Sequence, residues 1–282
     1  MNIIPKKDSF KEFIGLEGDF LELKDFSIFE VKGLIHPPKK LISYPRYIVN
    51  KKGDRWKGSR RYRKIYALQE RQELLRQKYP HLIINDPILN MKVPEISQTE
   101  IVTHYKPNEF LEKIKKKKQP DSIMQKAIEF SHLLENHSGI SSTAIGISGS
   151  IMVGLHTASS DMDLIIYGQN ESRKIRNLLK ILLREEKQVR GLMSNEIARH
   201  YKFRCADAVM QFEVFEKHEL RKTFQGVFKD LEFFIRYLPS SRELTEKYGN
   251  IRYFPAGYVK VKARVKDASG AFYSPCRYWL EK

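Results

Sequence analysis

Apolar residues return at helical spacing between Asp121 and Gly139. Ile123, Ala127, Phe130 and Leu134 share one stripe, with Met124, Ile128 and Leu133 beside it. That period predicts an amphipathic helix against a core. Asp121, after Pro120, is a residue type that caps a helix start, and Gly139 one that ends it. A β-prone run follows at 143–148, and 149–155 can open a short helix. The apolar run 162–167 predicts a buried strand. Residues 171–184 predict a second amphipathic helix with Ile175, Leu178, Leu179 and Leu182 inward, and 194–201 a third. Residues 227–238 read as one strand, ended by Pro239-Ser240-Ser241. Helix, strand, turn, strand, helix, strand is an α/β order.

The flanks are patterned differently. Residues 1–120 are punctuated by Pro37-Pro38, Pro45, Pro80, Pro87, Pro94 and Pro107. Strands at 27–35 and 82–85 and a helix at 66–78 are expected there, without a derivable topology. From Tyr258 to Asp267 the pattern alternates strictly. Val259, Val261, Ala263 and Val265 fall on one face, predicted buried, and Lys260, Lys262, Arg264 and Lys266 on the other. Val31–Ile35 with Ser43–Tyr47 weakly echoes Val261–Val265 with Ser274–Tyr278, which suggests two related β units packed together. The expected class is α+β: a small mixed sheet with flanking helices at 121–238, a basic N-terminal region at 1–120 and a C-terminal β segment at 239–282.

Charge narrows the function. The 282 residues include 51 Lys/Arg against 34 Asp/Glu, a formal net charge of +17. With 41% hydrophobic residues there is material for a core, and such a charge favours polyanionic partners. No apolar run approaches a membrane span, and 1–13 lack the apolar segment of a secretory signal. A cytoplasmic location with no membrane partner is therefore expected. Cys205 and Cys276 alone provide neither a disulfide framework nor a Cys-based zinc cluster. Between Lys39 and Lys78, fourteen Lys/Arg stand against three acids, interleaved with Tyr44, Tyr47, Trp56, Tyr62 and Tyr66. Cations neutralise phosphates and rings stack on bases. Arg55, Trp56, Lys57, Arg60, Arg61 and Arg63, together with Lys260, Lys262 and Arg264, are the candidate nucleic-acid contacts. The competing reading is an ordinary solvated face and, for 258–267, an edge strand guarded by lysines.

The chemistry concentrates in 146–168. Gly149-Ser150 ends a strand and opens a helix, where glycine permits close approach and free N–H groups face phosphate. Eleven residues after Ser150 comes Asp161-x-Asp163. Residues i and i+2 of a strand point the same way, about 6.6 Å apart. Two carboxylates so placed can share one or two hard cations, with phosphates and waters completing the shell. Rival motifs fail. The glycine spacing Gly149 to Gly154 matches a P-loop, but Leu155-His156 stands where Lys-Ser/Thr is needed.

The pattern Gly149-Ser150 to Ser160-Asp161-Met162-Asp163-Leu164 resembles the signature of the DNA polymerase beta-like nucleotidyltransferase superfamily, over roughly 121–238. The flanks are similar to those of predicted archaeal members. The resemblance implies that Gly149 and Ser150 contact a nucleoside triphosphate such as ATP, and that Asp161 and Asp163 bind Mg²⁺ or Mn²⁺. It also implies a third carboxylate on a later strand, for metal binding and catalysis. Glu232 is the lead and Asp230 the alternative; a glutamate departs from the more usual aspartate. The expected activity is nucleotidyl transfer from a nucleoside triphosphate to an acceptor hydroxyl, with nucleic acid favoured as acceptor by the charge. The alternative is a catalytically inactive nucleic-acid-binding protein on the same fold.

Overall fold

The protein is described by a computed structural model covering residues 14–204 and 210–281. The readings made for 1–13 and for Cys205 lie outside those residues. The chain is mixed α/β, with seven α-helices and fifteen strands among the described residues.

The proline-rich N-terminal part forms a curled antiparallel sheet. Its strands are β1 (Phe20–Leu23), β2 (Ile28–Val31), β3 (Lys40–Val49), β4 (Arg55–Lys57), β5 (Arg60–Lys64), β6 (Ile83–Asp86), β7 (Met91–Ser97) and β8 (Ile101–Tyr105). The order is β4-β5-β3-β2-β1-β8, with β7 joining β3 to β6. The long β3 pairs with β7 at its start, β2 along its middle and β5 at its end. Pro45 sits in β3 where the pairing with β2 shifts register, a place where a missing N–H is tolerated. The helix α1 (Leu68–Lys78) buries Leu75 in a core with Leu21, Phe29, Val31, Leu41 and Ile96.

After α2 (Pro107–Lys115) comes α3 (Ser122–Ser138). Asp121 Oδ1 accepts from the N–H groups of Ile123 (3.1 Å) and Met124 (2.9 Å), a cap worth about 1 kcal/mol. Gly139 closes the helix at φ 65°, where L side chains are disfavoured. A second sheet has the order β11 (Val189–Arg190), β12 (Gln225–Phe228), β13 (Leu231–Leu238), β10 (Met162–Tyr167) and β9 (Ile145–Ile147). Only the β10–β13 pair is parallel among the pairings of this sheet. α3 and α5 (Gln169–Glu185) cover one face, with Phe130 stacked on Phe228 at 4.8 Å between ring centres. α4 (Gly149–Met152), α6 (Ser194–Arg204) and α7 (Phe212–Glu219) complete the helices.

Three expectations change. Residues 227–238 are not one strand: Lys229, at φ 58°, turns the chain with Asp230 into the β12–β13 hairpin. The C-terminal alternation buries nothing. There, among the described residues, β14 (Arg264–Asp267) pairs only with β15 (Trp279–Glu281), and Val259 and Val261 are 85% and 66% exposed. Among the described residues no layer lies over that hairpin, so its alternation has nothing there to pack against. The echoed segments fall only partly on strands: Val31 ends β2, Ser43–Tyr47 lies in β3 and Arg264-Val265 in β14, whereas Ser274–Tyr278 precedes β15, and the two hairpins belong to separate sheets and do not pair.

A small apolar seam joins the two halves. Phe20, Ile28, Tyr47 and Tyr62 of the first sheet pack against Met152, Val153 and Leu155, just beyond the Gly149 turn. Burying these side chains, each worth about 2 kcal/mol, sets the first sheet over the end of β10.

Candidate functional site

The site is built where β9 ends. The Ser148 N–H donates to the carbonyl of Asp163 (2.8 Å), and its Oγ donates to the carbonyl of Gly18 (2.6 Å). Gly149 then takes φ 65°. A Cβ at Gly149 would collide with the Asp163 carboxylate, so the turn and the acid are in direct apposition. Thr157 and Ser160 close a turn upstream of β10, with the Thr157 N–H donating to Ser160 Oγ (2.9 Å). That turn leaves Asp161 exposed beside the partly buried Asp163. Burial first, and then the charge of Asp161, push the Asp163 carboxyl up to about 7.

The walls come from both sheets. In the parallel register Asp163 stands beside Phe234, and Arg236 lies two residues further along the same face of β13. Opposite stand Glu30 of β2, Arg46 and Tyr47 of β3, and Lys64 of β5. Glu30 sits 2.7 Å from Lys32 Nζ, 3.7 Å from Arg46 Nε and 4.0 Å from Arg236 Nη1. Burial alone would raise its carboxyl; Lys32, Arg46 and Arg236 overcome that and hold it down to about 2. Arg236 also pairs with Glu17 at 2.9 Å. Three cations, Arg46, Lys64 and Arg236, therefore line the cleft with Asp163 and Glu30. The wall thus sets three cations against two carboxylates. The enclosed space is about 60 Å³, enough for a few small ligands such as waters.

Gly149 and Asp163 are thus brought together, while Asp161, exposed beside Asp163, is not in the cleft wall. Ser150 is buried in α4 and is not part of the cleft wall, where Ser148 stands instead. Glu232 shares a face with Phe234 and Arg236, but Arg199 and His200 of α6 take its carboxylate and hold it below the usual range, the His200 hydrogen bond first. Asp230 sits in the exposed turn, paired with Lys126. Neither acid joins the pair, and among the described residues no group of three or more His, Cys, Asp or Glu is placed to hold a metal ion. Arg236, on the same face, turns to Glu17 and Glu30 rather than to Glu232.

The predicted nucleic-acid contacts divide. Arg55 is buried, with Nη1 donating to the Leu155 carbonyl (2.6 Å), so it ties β4 to the α4 segment. Lys57 is neutralised by Glu22 (2.8 Å), and Arg63 pairs with Glu70. Trp56 is exposed, with Arg61 over its ring at 4.7 Å, and Arg60 lies over Phe26 at 3.5 Å. Lys260, Lys262 and Arg264 are exposed. Sequence reasoning missed Glu30, Arg46, Lys64 and Arg236. Arg46 and Lys64 carried a signal only as members of the basic stretch 39–78, and Arg236 only through its parity with Glu232 and Phe234 along β13.

The chain is 27% identical to an uncharacterized protein of Methanocaldococcus jannaschii, in an alignment that covers 93% of this chain and 79% of that protein. No family model matches the chain, and no solved structure matches it. Among the described residues no helix is long and apolar enough to cross a membrane.

Proposed function

We propose that the chain is a metal-dependent nucleotidyltransferase that uses a nucleoside triphosphate and an acceptor hydroxyl, with nucleic acid as acceptor. One observation carries the reading: Gly149, held left-handed, lies directly against Asp163, and Asp161 perturbs that same carboxyl. A desolvated carboxyl beside a second acid gains most from a divalent cation, and the donor set suits Mg²⁺ or Mn²⁺ with phosphate and water oxygens completing the shell. Asp161 and Asp163 would hold that ion, which when bound supplies charge neutralisation at the reacting phosphate.

The chain's own residues do the rest. Arg46, Lys64 and Arg236 offset the charge of the triphosphate. The Gly149 turn lets backbone approach it closely. The acceptor oxygen bonds to the α-phosphorus as the bond to the β-phosphate bridging oxygen breaks. Pyrophosphate leaves, and the hydroxyl proton passes to solvent. Trp56, Arg60, Arg61 and the C-terminal lysines offer an acceptor strand cations and a ring.

The test is incubation with labelled triphosphates, Mg²⁺ or Mn²⁺, and RNA or DNA primers. Incorporation lost in Asp161→Ala plus Asp163→Ala supports transfer. The second reading, a nucleic-acid binder that does not catalyse, is favoured by the engagement of Glu232 elsewhere. It predicts salt-dependent strand binding with no incorporation of any of the four bases.

A further inference from the structure

Two exposed rings meet beside the cleft, one from each half of the molecule. Tyr66, just after β5, is 46% exposed, and Phe203 of α6 is 64% exposed. Their centroids are 5.3 Å apart, edge to face. Two cations flank Tyr66: Lys64 Nζ lies 4.8 Å and the Arg46 guanidinium 5.5 Å from its ring centre. Those same side chains line the cleft that holds Asp163. On α6, Arg199 lies one turn before Phe203 and binds Glu232, which shares its strand face with Phe234, the register partner of Asp163. The rings therefore lie next to Lys64 and Arg46, two of the cations of the cleft wall.

Large rings left in water and flanked by cations match a ligand with a flat π face and an attached anion. We propose that Tyr66 and Phe203 seat the base of a nucleoside phosphate, with its phosphate against Lys64 and Arg46. The proposal rests on the nucleotide reading of the Asp163 cleft and adds the residues that grip the base. A free nucleoside triphosphate and the terminal nucleotide of a strand present the same chemistry.

The experiment is calorimetric titration of the full chain with ATP, inorganic tripolyphosphate and a short single-stranded RNA, each with Mg²⁺. The variants are Tyr66→Ala plus Phe203→Ala, and Tyr66→Phe. The wild type is expected to bind at least one base-bearing ligand about tenfold more tightly than tripolyphosphate, in keeping with the worth of one stacked base. The double variant is expected to lose that preference while binding tripolyphosphate unchanged, and Tyr66→Phe to keep it. Loss confined to ATP assigns the seat to the free nucleotide; loss confined to RNA assigns it to the strand end. A double variant that keeps the full preference overturns the proposal, as does a wild type with no preference. Primer extension separates the two ideas. If ring-dependent binding persists without incorporation, the transfer reading fails and the seat stands. If Asp-dependent incorporation occurs without ring-dependent binding, the seat fails and transfer stands.

Discussion

Replacing Gly149 by alanine perturbs the site through a single methyl group. Two effects add. At φ 65° an L side chain costs about 1–2 kcal/mol in backbone strain. The new Cβ also falls on the Asp163 carboxylate, so the turn or the acid has to shift. Displacement of a reacting group by about 1 Å costs roughly 100-fold in rate. Gly154 separates these effects: it has φ 70°, and a Cβ there meets nothing within 4 Å. Gly154→Ala therefore carries similar strain without the collision. Both variants are expected to melt lower by a few degrees, about 2–4 °C per kcal/mol for a chain approaching this size. Only Gly149→Ala is expected to lose Mn²⁺ affinity and incorporation, by about 100-fold for the latter. The assay pairs thermal unfolding with primer extension and Mn²⁺ titration. Equal losses of activity in the two variants would refute the claim that the turn is built around Asp163.

Three further outcomes follow from the geometry. Asp163, pushed up to about 7 by burial and Asp161, favours its protonated form below that pH, so Mn²⁺ binding should strengthen as pH rises through about 7. Asp161→Asn, which removes one cause of the shift, should move that rise to lower pH; the measurement is Mn²⁺ affinity against pH, and an unshifted profile contradicts the coupling. Glu232→Gln should weaken the tie between α6 and β13, lowering the melting temperature while leaving Mn²⁺ affinity in place; lost Mn²⁺ binding would return Glu232 to the site. Arg55→Ala should destabilise by about 1–3 kcal/mol, because it leaves the Leu155 carbonyl without this donor. Arg60→Ala plus Arg61→Ala should instead weaken RNA binding and flatten its salt dependence; the reverse assignment would contradict the burial of Arg55.

The sequence showed its local features clearly. The Asp121 cap, the Gly139 stop and the run at Met162–Tyr167 each depend on neighbours within a few residues, and each appears where the pattern puts it. The β12–β13 hairpin escaped because Lys229-Asp230 lacks the glycine or asparagine that usually marks such a turn. The first sheet escaped because β3 divides its length among three partners, one of them, β7, far along the chain, and prolines broke its alternation. The site divides in the same way. Gly149, Asp161 and Asp163 lie on adjoining pieces of one motif, whereas Glu30, Arg46 and Lys64 reach it only through packing of the first sheet on the second. The valines of 259–265 misled for a further reason: alternation shows that two faces differ, not that a partner covers either.

The central claim, that the Gly149 turn and the Asp161–Asp163 pair form a cation and triphosphate site, is tested most directly by anomalous diffraction. Crystals would be soaked with Mn²⁺ and a non-hydrolysable triphosphate. The account predicts a manganese peak within bonding distance of both carboxylates, with phosphate oxygens against the Gly149 turn and near Lys64 or Arg236. Manganese bound elsewhere, or a triphosphate that never enters the cleft, would contradict it.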